Sequence, residues 1–182
     1  MVGNFIGDFV KGSRYNVYPA AIKNGILLHR LIDEFTDNHP VVQSLNRFLR
    51  PTFGRYSAII LDMYFDYLLA KNFKNYSSTS LHLFSIRFYL VVLWNYKHLP
   101  NRVKGFIFHF VTTNRLKKYG TLAGLQSSLQ IMANYKIPTL NPPQAISFLK
   151  QNHSYIEREF FVFFVDLKAF SNYQLKFNNR FH

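Results

Sequence analysis

Apolar residues recur along this chain with helical spacing almost throughout, and no stretch alternates as a half-buried strand would. Pro19 is placed to open a helix that carries Ile22, Ile26, His29 and Asp33 toward Thr36, and Pro40, behind His39, to open the next. The segment from Arg55 to Phe73 is apolar nearly all round, the mark of a buried helix. Ser77 to Ser80 supplies capping side chains for a helix ending near Tyr96. Leu99 to Tyr119 continues the helical period, and Thr121 is positioned to cap a further helix ending near Tyr135. Beyond a connector at Pro138 to Pro143, Asn141 precedes a last helix, residues 142–170, which carries the run Phe160-Phe-Val-Phe-Phe-Val165. No hairpin signal, internal repeat or linker interrupts the pattern. It predicts an all-α fold: a single bundle of about six or seven helices over residues 1–170. The polar, asparagine-rich residues 171–182 are expected to fray.

Composition narrows the chemistry. A length of 182 residues suits one domain, and 48% hydrophobic with 18% aromatic content describes a folded chain. Cysteine is absent, which excludes disulfides, thiolate nucleophiles and sulfur-ligated metals. A metal would have to use imidazole and carboxylate, a donor set suited to Mn, Mg, Fe or a histidine-rich Zn site. No run reaches the ~18 apolar residues of a membrane span, and the start lacks the basic and apolar regions of a signal peptide, so a cytoplasmic location is expected. The formal charge of +13 is compatible with an acidic protein, a membrane surface or nucleic acid.

The nine acids are distributed unevenly. Asp8, Asp33, Glu34, Asp37, Asp62 and Asp66 all lie in the first 66 positions, whereas residues 67–156 hold eleven Lys and Arg and no acid. His29 and Asp33 are one helical turn apart on a face shared with Ile22 and Ile26, so they point inward and need a hydrogen-bond partner or a metal. Taken alone, the pair fits a His–Asp bridge between two helices slightly better than a metal site. Asp62 and Asp66 repeat the spacing within the apolar segment, where two like charges one turn apart need a cation. Neutralisation by Lys or Arg is the competing account, and a metal site or an acid/base pair is the better fit.

Asp8 lies between Gly7 and Gly12 and is either presented from a turn or a plain cap; Asp37 and His39 either join a ligand shell or cap the next helix. His82, His98, His109 and His153 read as structural. Arg102, Lys104, Arg115, Lys117 and Lys118 form the densest basic group, interleaved with Phe106, Phe108 and Phe110. These phenylalanines read as core and carry no RNA-binding signature, so no nucleic-acid partner is expected.

Three strings carry a resemblance: Gly3-Asn-Phe-Ile-Gly-Asp-Phe-Val-Lys-Gly12, Leu28-His-Arg-Leu-Ile-Asp-Glu-Phe-Thr-Asp-Asn-His-Pro40 and Asp62-Met-Tyr-Phe-Asp-Tyr-Leu-Leu-Ala70. In this order and spacing they resemble the acyl carrier protein phosphodiesterases, and Leu99-Pro100, Asn114-Arg115-Leu116 and the Phe-rich final helix extend the likeness over nearly the whole chain. The resemblance implies an all-helical fold distantly similar to HD-type metal phosphohydrolases. It implies Mn²⁺- or Mg²⁺-dependent hydrolysis of the phosphodiester joining 4′-phosphopantetheine to acyl carrier protein. His29, Asp33, Asp62 and Asp66 are then expected as ligands or water activators, Asp33, Asp62 and Asp66 as the catalytic acids, and Asp8 and His39 as further ligands. Lys11, Arg30 and Arg115 are expected at the phosphate.

Two departures stand out. Family members begin earlier, with a helix carrying Asn-Tyr-Leu-Ala-His-like residues, so a possible ligand histidine is expected to be missing. Their Phe-Asp-His string reads Phe65-Asp66-Tyr67 here, and tyrosine does not replace imidazole as a ligand without a large pKa cost. The alternative reading is a homologue that binds the acidic carrier protein with impaired catalysis.

Overall fold

Helix signals in the sequence translate directly into elements. The computed structural model describes residues 1–135 and 137–177. Among them the helices are α1 (Val2–Ile6), α2 (Ala20–Asn38), α3 (Pro40–Phe53), α4 (Ser57–Lys71), α5 (Leu81–Trp94), α6 (Asn101–Thr112), α7 (Arg115–Lys118), α8 (Leu122–Tyr135), α9 (Pro142–Gln151) and α10 (His153–Phe177), joined by short 3₁₀ turns. The class is all-α as expected. Its caps follow the sequence: Ser80 Oγ accepts from Leu83 N at 3.3 Å, Thr121 Oγ1 from Gly124 N at 3.0 Å, and Asn141 Oδ1 from Gln144 N at 3.1 Å.

The helix number exceeds the expected six or seven for local reasons. The segment read as one helix over residues 99–119 breaks at Asn114, whose φ of 46° is left-handed, a conformation asparagine tolerates. The Tyr89 hydroxyl fixes this break by donating to Asn114 Oδ1 at 3.3 Å and accepting from Leu116 N at 3.0 Å. The expected helix over residues 142–170 also divides, at Asn152, whose side-chain amide bonds Phe148 O at 2.9 Å and closes α9. Its second part then outruns the expectation. α10 stays helical to Phe177, with Phe170 stacked on Phe35 at 4.4 Å, so the helix runs on into the polar tail expected from Ser171. Residues 178–182 of that expected tail lie outside the described residues.

Buried side chains form two clusters. One joins α3, α4, α8, α9 and α10 through residues such as Leu45, Leu61, Leu129, Leu149 and Phe160; the other joins α1, α2, α5 and α6 through Ile6, Ile26, Val92 and Ile107. In the second cluster α1 lies against α2 with backbones touching. A Cβ on Gly25 would stand 2.9 Å from Asn4 N and Gly3 Cα, so only glycine fits there. The seam between the two clusters holds the acids. Among the described residues no helix is long and apolar enough to cross a membrane.

Candidate functional site

α4 is apolar on the sides that face α3 and α10, where Ile60, Leu61, Tyr64, Phe65 and Leu68 are buried. Its remaining side presents Asp62 and Asp66, one turn apart, to a cavity of about 690 Å³ shared with Asp8, Met63, Arg115, Tyr119, Ser128 and Ile131. A second cavity of about 810 Å³ adjoins it and shares Asp8, Asp66, Arg115, Tyr119, Ile131 and Tyr135. Phe5, Phe9, Phe106 and Phe110 complete that second wall. The two cavities are one cleft, with carboxylates and an arginine in the middle and apolar surface on either side.

Water enters the cleft, so Asp62 and Asp66 are solvent-exposed by area; the surrounding protein nonetheless strips away their bulk hydration. The crowding governs their titration. Burial first, then the charges of Asp66, Asp37, Asp33 and Asp8, pushes Asp62 from 3.8 up to about 7. Burial alone pushes Asp66 up to about 6. The carboxylates at residues 8, 33, 37, 62 and 66 therefore share one electrostatic field, although three separate segments supply them.

His29 stands at the edge of that field on α2. Its Nε2 lies 3.1 Å from Asp33 Oδ2 and 3.4 Å from Asp8 Oδ1. Asn4 Oδ1, which carries no proton, lies 3.1 Å from Nδ1, so Nδ1 donates to it and Nε2 faces the two acids. No hydrogen bond satisfies this buried Nε2. One atom from each of Asp8, His29 and Asp33 falls within a 4.8 Å group. An orphaned imidazole nitrogen beside two carboxylates fits a divalent cation with oxygen and nitrogen preference. Asp33 is raised by burial, lowered by His29, raised by Asp8 and Asp37, and lowered by Lys11.

The triad rests on close packing that the sequence string only hinted at. A Cβ on Gly7 would run into the His29 ring. We expect Gly7→Ala to displace the imidazole and weaken Mn²⁺ binding by about 10–100-fold, the usual cost of disturbing a ligand's support. Titration calorimetry, with circular dichroism to confirm retained helices, checks this.

Not every expected residue joins the site. Arg30, expected at the phosphate, is held against the Asp8 loop. Its Nη2 donates to Val10 O at 2.8 Å and Gly12 O at 2.7 Å, and the guanidinium lies over the Tyr15 ring, so it fastens the loop that presents Asp8. His39, expected as a further ligand, is engaged at the start of α3. Nδ1 accepts from Val41 N at 3.3 Å as the cap of α3, and Nε2 pairs with Asp166 Oδ2 at 3.2 Å. With both nitrogens engaged, His39→Ala should cost about 1–2 kcal/mol of stability and leave turnover unchanged, as denaturant unfolding and an activity assay would report. Lys11 is exposed beside Asp33, and Arg115 reaches the cleft, with Nη2 3.3 Å from Ser128 Oγ.

Sequence reasoning missed Asn4 and Tyr119. Asn4 lies inside the Gly3–Gly12 string, but only the α1–α2 contact brings it to His29. Tyr119 lines both cavities and hydrogen-bonds Arg115, and burial and the Asp66 charge raise its pKa, so its hydroxyl stays protonated. No signal in the sequence pointed to it. His109, read as structural, also lines the cleft.

Tyr67 takes no part in the cleft. It is buried in the first cluster, with the His153 ring 6.4 Å away and Lys71 Nζ 5.9 Å from its own ring. The departure at this position therefore removes no ligand from the face that carries Asp62 and Asp66.

Fold and site together define an all-helical protein with an acid-lined, arginine-flanked cleft of the kind that handles phosphate esters. The chain matches the acyl carrier protein phosphodiesterase family over residues 1–167 and belongs to it. It is 27% identical to the acyl carrier protein phosphodiesterase of Yersinia pestis over 165 residues, which cover 90% of this chain and 86% of that protein. The protein of the same name from Serratia proteamaculans is 26% identical over the same shares. That of Enterobacter sp. (strain 638) is 37% identical over 75 residues, 41% of this chain and 39% of the relative. No solved structure matches the chain.

Proposed function

We propose that the chain hydrolyses the phosphodiester that joins 4′-phosphopantetheine to a serine of acyl carrier protein, returning holo-carrier to apo-carrier, with Mn²⁺ or Mg²⁺ as cofactor. The single observation that supports this most is the orphaned Nε2 of His29, set between Asp8 and Asp33 at the edge of a field of carboxylates. Asp8, His29 and Asp33 would hold the cation, and Asp62 and Asp66 reach the same field from α4. When bound, the cation neutralises phosphate charge and lowers the pKa of a coordinated water.

The remaining work falls to side chains of this chain. Asp62, with a pKa raised to about 7, is suited to accept a proton from water near neutral pH. Arg115 and the protonated Tyr119 hydroxyl are the cleft's donors for phosphate oxygens. Lys11, at the rim, adds positive charge where the phosphate enters. The long arm of the substrate is partly apolar, and Phe106, Phe110, Ile131 and Met132 offer walls for it. Acyl carrier proteins are strongly acidic, and the acid-free stretch over residues 67–156 would steer them in, with a rate that falls steeply with salt.

Incubation of holo-carrier with the purified protein and Mn²⁺, followed by mass spectrometry, tests the reading. Apo-carrier that forms with Mn²⁺ and not with chelator supports it. A stable complex with holo-carrier and no apo-carrier would instead support the reading as a binding homologue.

A further inference from the structure

α5 is apolar on both sides, yet among the described residues only one side is covered. Ser85, Phe88, Tyr89 and Val92 point into the second core cluster. On the opposite side Leu83 (49% exposed), Leu90 (63%) and Trp94 (89%) make a stripe along the whole helix, with Ile86 and Val91 at its margins. Phe108 of α6, 59% exposed, extends the stripe at its C-terminal end, where its ring lies 5.6 Å from that of Tyr96. Exposed Arg87, one turn from both Leu83 and Leu90, lies within the stripe, and exposed Lys97 together with Lys104, whose Nζ is 5.2 Å from the Tyr96 ring, flanks its C-terminal end. No carboxylate occurs anywhere in residues 67–156.

We infer that this face of α5, together with Phe108, seats the protein peripherally on an anionic lipid surface. A helix lying in the membrane interface combines an apolar stripe, a tryptophan and flanking cations, and it draws on burial and on attraction to anionic headgroups. Burial of the leucine side chains and attraction of the cations to anionic headgroups act together there. Two other occupants fit less well. A second copy would bring Arg87, Lys97 and Lys104 against their like charges across a two-fold contact. An acyl carrier protein with its arm in the cleft would sit on the other side of α5, because Tyr89 on the inner face reaches the cleft wall at Leu116.

Trp94 is the sole tryptophan, so its emission reports this face directly. The protein is mixed with phosphatidylcholine vesicles with and without phosphatidylglycerol, and emission and co-sedimentation are read. The expected result is a blue shift and co-sedimentation with the anionic vesicles alone. The double substitution Leu83→Gln/Leu90→Gln, which keeps Trp94, should weaken both at least about tenfold. An unchanged spectrum on anionic vesicles overturns the inference. So does equal binding by the double variant, which would mean charge attraction alone. A blue shift that grows with protein concentration without lipid assigns the face to self-association, and one produced by holo-carrier assigns it to the carrier; both overturn it. Asp66→Asn should bind vesicles as the unaltered chain does, which separates this result from the fate of the phosphodiesterase reading.

Discussion

Asp66→Asn should reduce apo-carrier formation by roughly 10²–10⁴-fold, the range over which a lost proton-transfer or water-orienting group acts, while making the metal-free protein more stable. The two effects have one cause. A carboxylate held in the cleft without bulk water is unfavourable in the folded chain, as its elevated pKa of about 6 records. The amide removes that charge and keeps the shape. An acid retained for structure would lose stability when neutralised, whereas an acid retained for chemistry gains stability and loses turnover. Thermal unfolding and product formation measured on the same preparation separate these cases. A variant that keeps its turnover would show that Asp66 is not part of the chemistry.

The second large effect is on stability against pH, and on its reversal by metal. Asp62 titrates near 7 in the folded chain against 3.8 ordinarily, and Asp66 near 6. Between the ordinary and the raised values the folded chain holds more protons than the unfolded one, so stability falls as pH rises through that window. The contribution of the two carboxylates is neutral below about pH 4 and fully unfavourable above about pH 7. It is read as the difference between the unaltered chain and the double variant Asp62→Asn/Asp66→Asn, which should unfold at the higher temperature at pH 8 and nearly the same temperature at pH 4. Mn²⁺ should narrow the gap at pH 8, because its charge offsets Asp62 and Asp66 in the unaltered chain alone. At a hundredfold excess over its dissociation constant a bound ion adds about 2.7 kcal/mol. A gap that widens on acidification would contradict the assignment.

Much of this was legible in the sequence, for physical reasons that can be named. Pro19, Pro40, Ser80, Thr121 and Asn141 each mark a helix start because the unpaired N–H groups of a first turn need a side chain or tolerate proline. The i,i+4 spacing of His29 and Asp33, and of Asp62 and Asp66, placed each pair on one face before any packing was known. The breaks at Asn114 and Asn152 were not legible. The first depends on the Tyr89 hydroxyl, which is distant in sequence, and the second on a side-chain bond that competes with helix continuation.

The site divides the same way. Asp8 reached it because Gly7 and Arg30 shape its loop, and Asn4 because Gly3 and Gly25 let two backbones touch. His39 caps α3 and pairs with Asp166, a role that sequence spacing does not separate from that of a ligand, because caps and metal ligands draw on the same side chains. Phe108 was read as core from its neighbours Phe106 and Phe110, yet a helix interior residue two places from each points outward.

The central claim is that Asp8, His29 and Asp33, gathered by the Gly7–Gly12 loop and α2, hold a divalent cation. Electron paramagnetic resonance of Mn²⁺ titrated into the purified chain tests this most directly, because bound ions lose the sharp signal of free ones. We expect saturable binding that is abolished or greatly weakened by His29→Ala and by Asp33→Asn, and that is unchanged by His39→Ala. Equal binding by the unaltered chain and the His29→Ala variant, or none by either, would contradict the account.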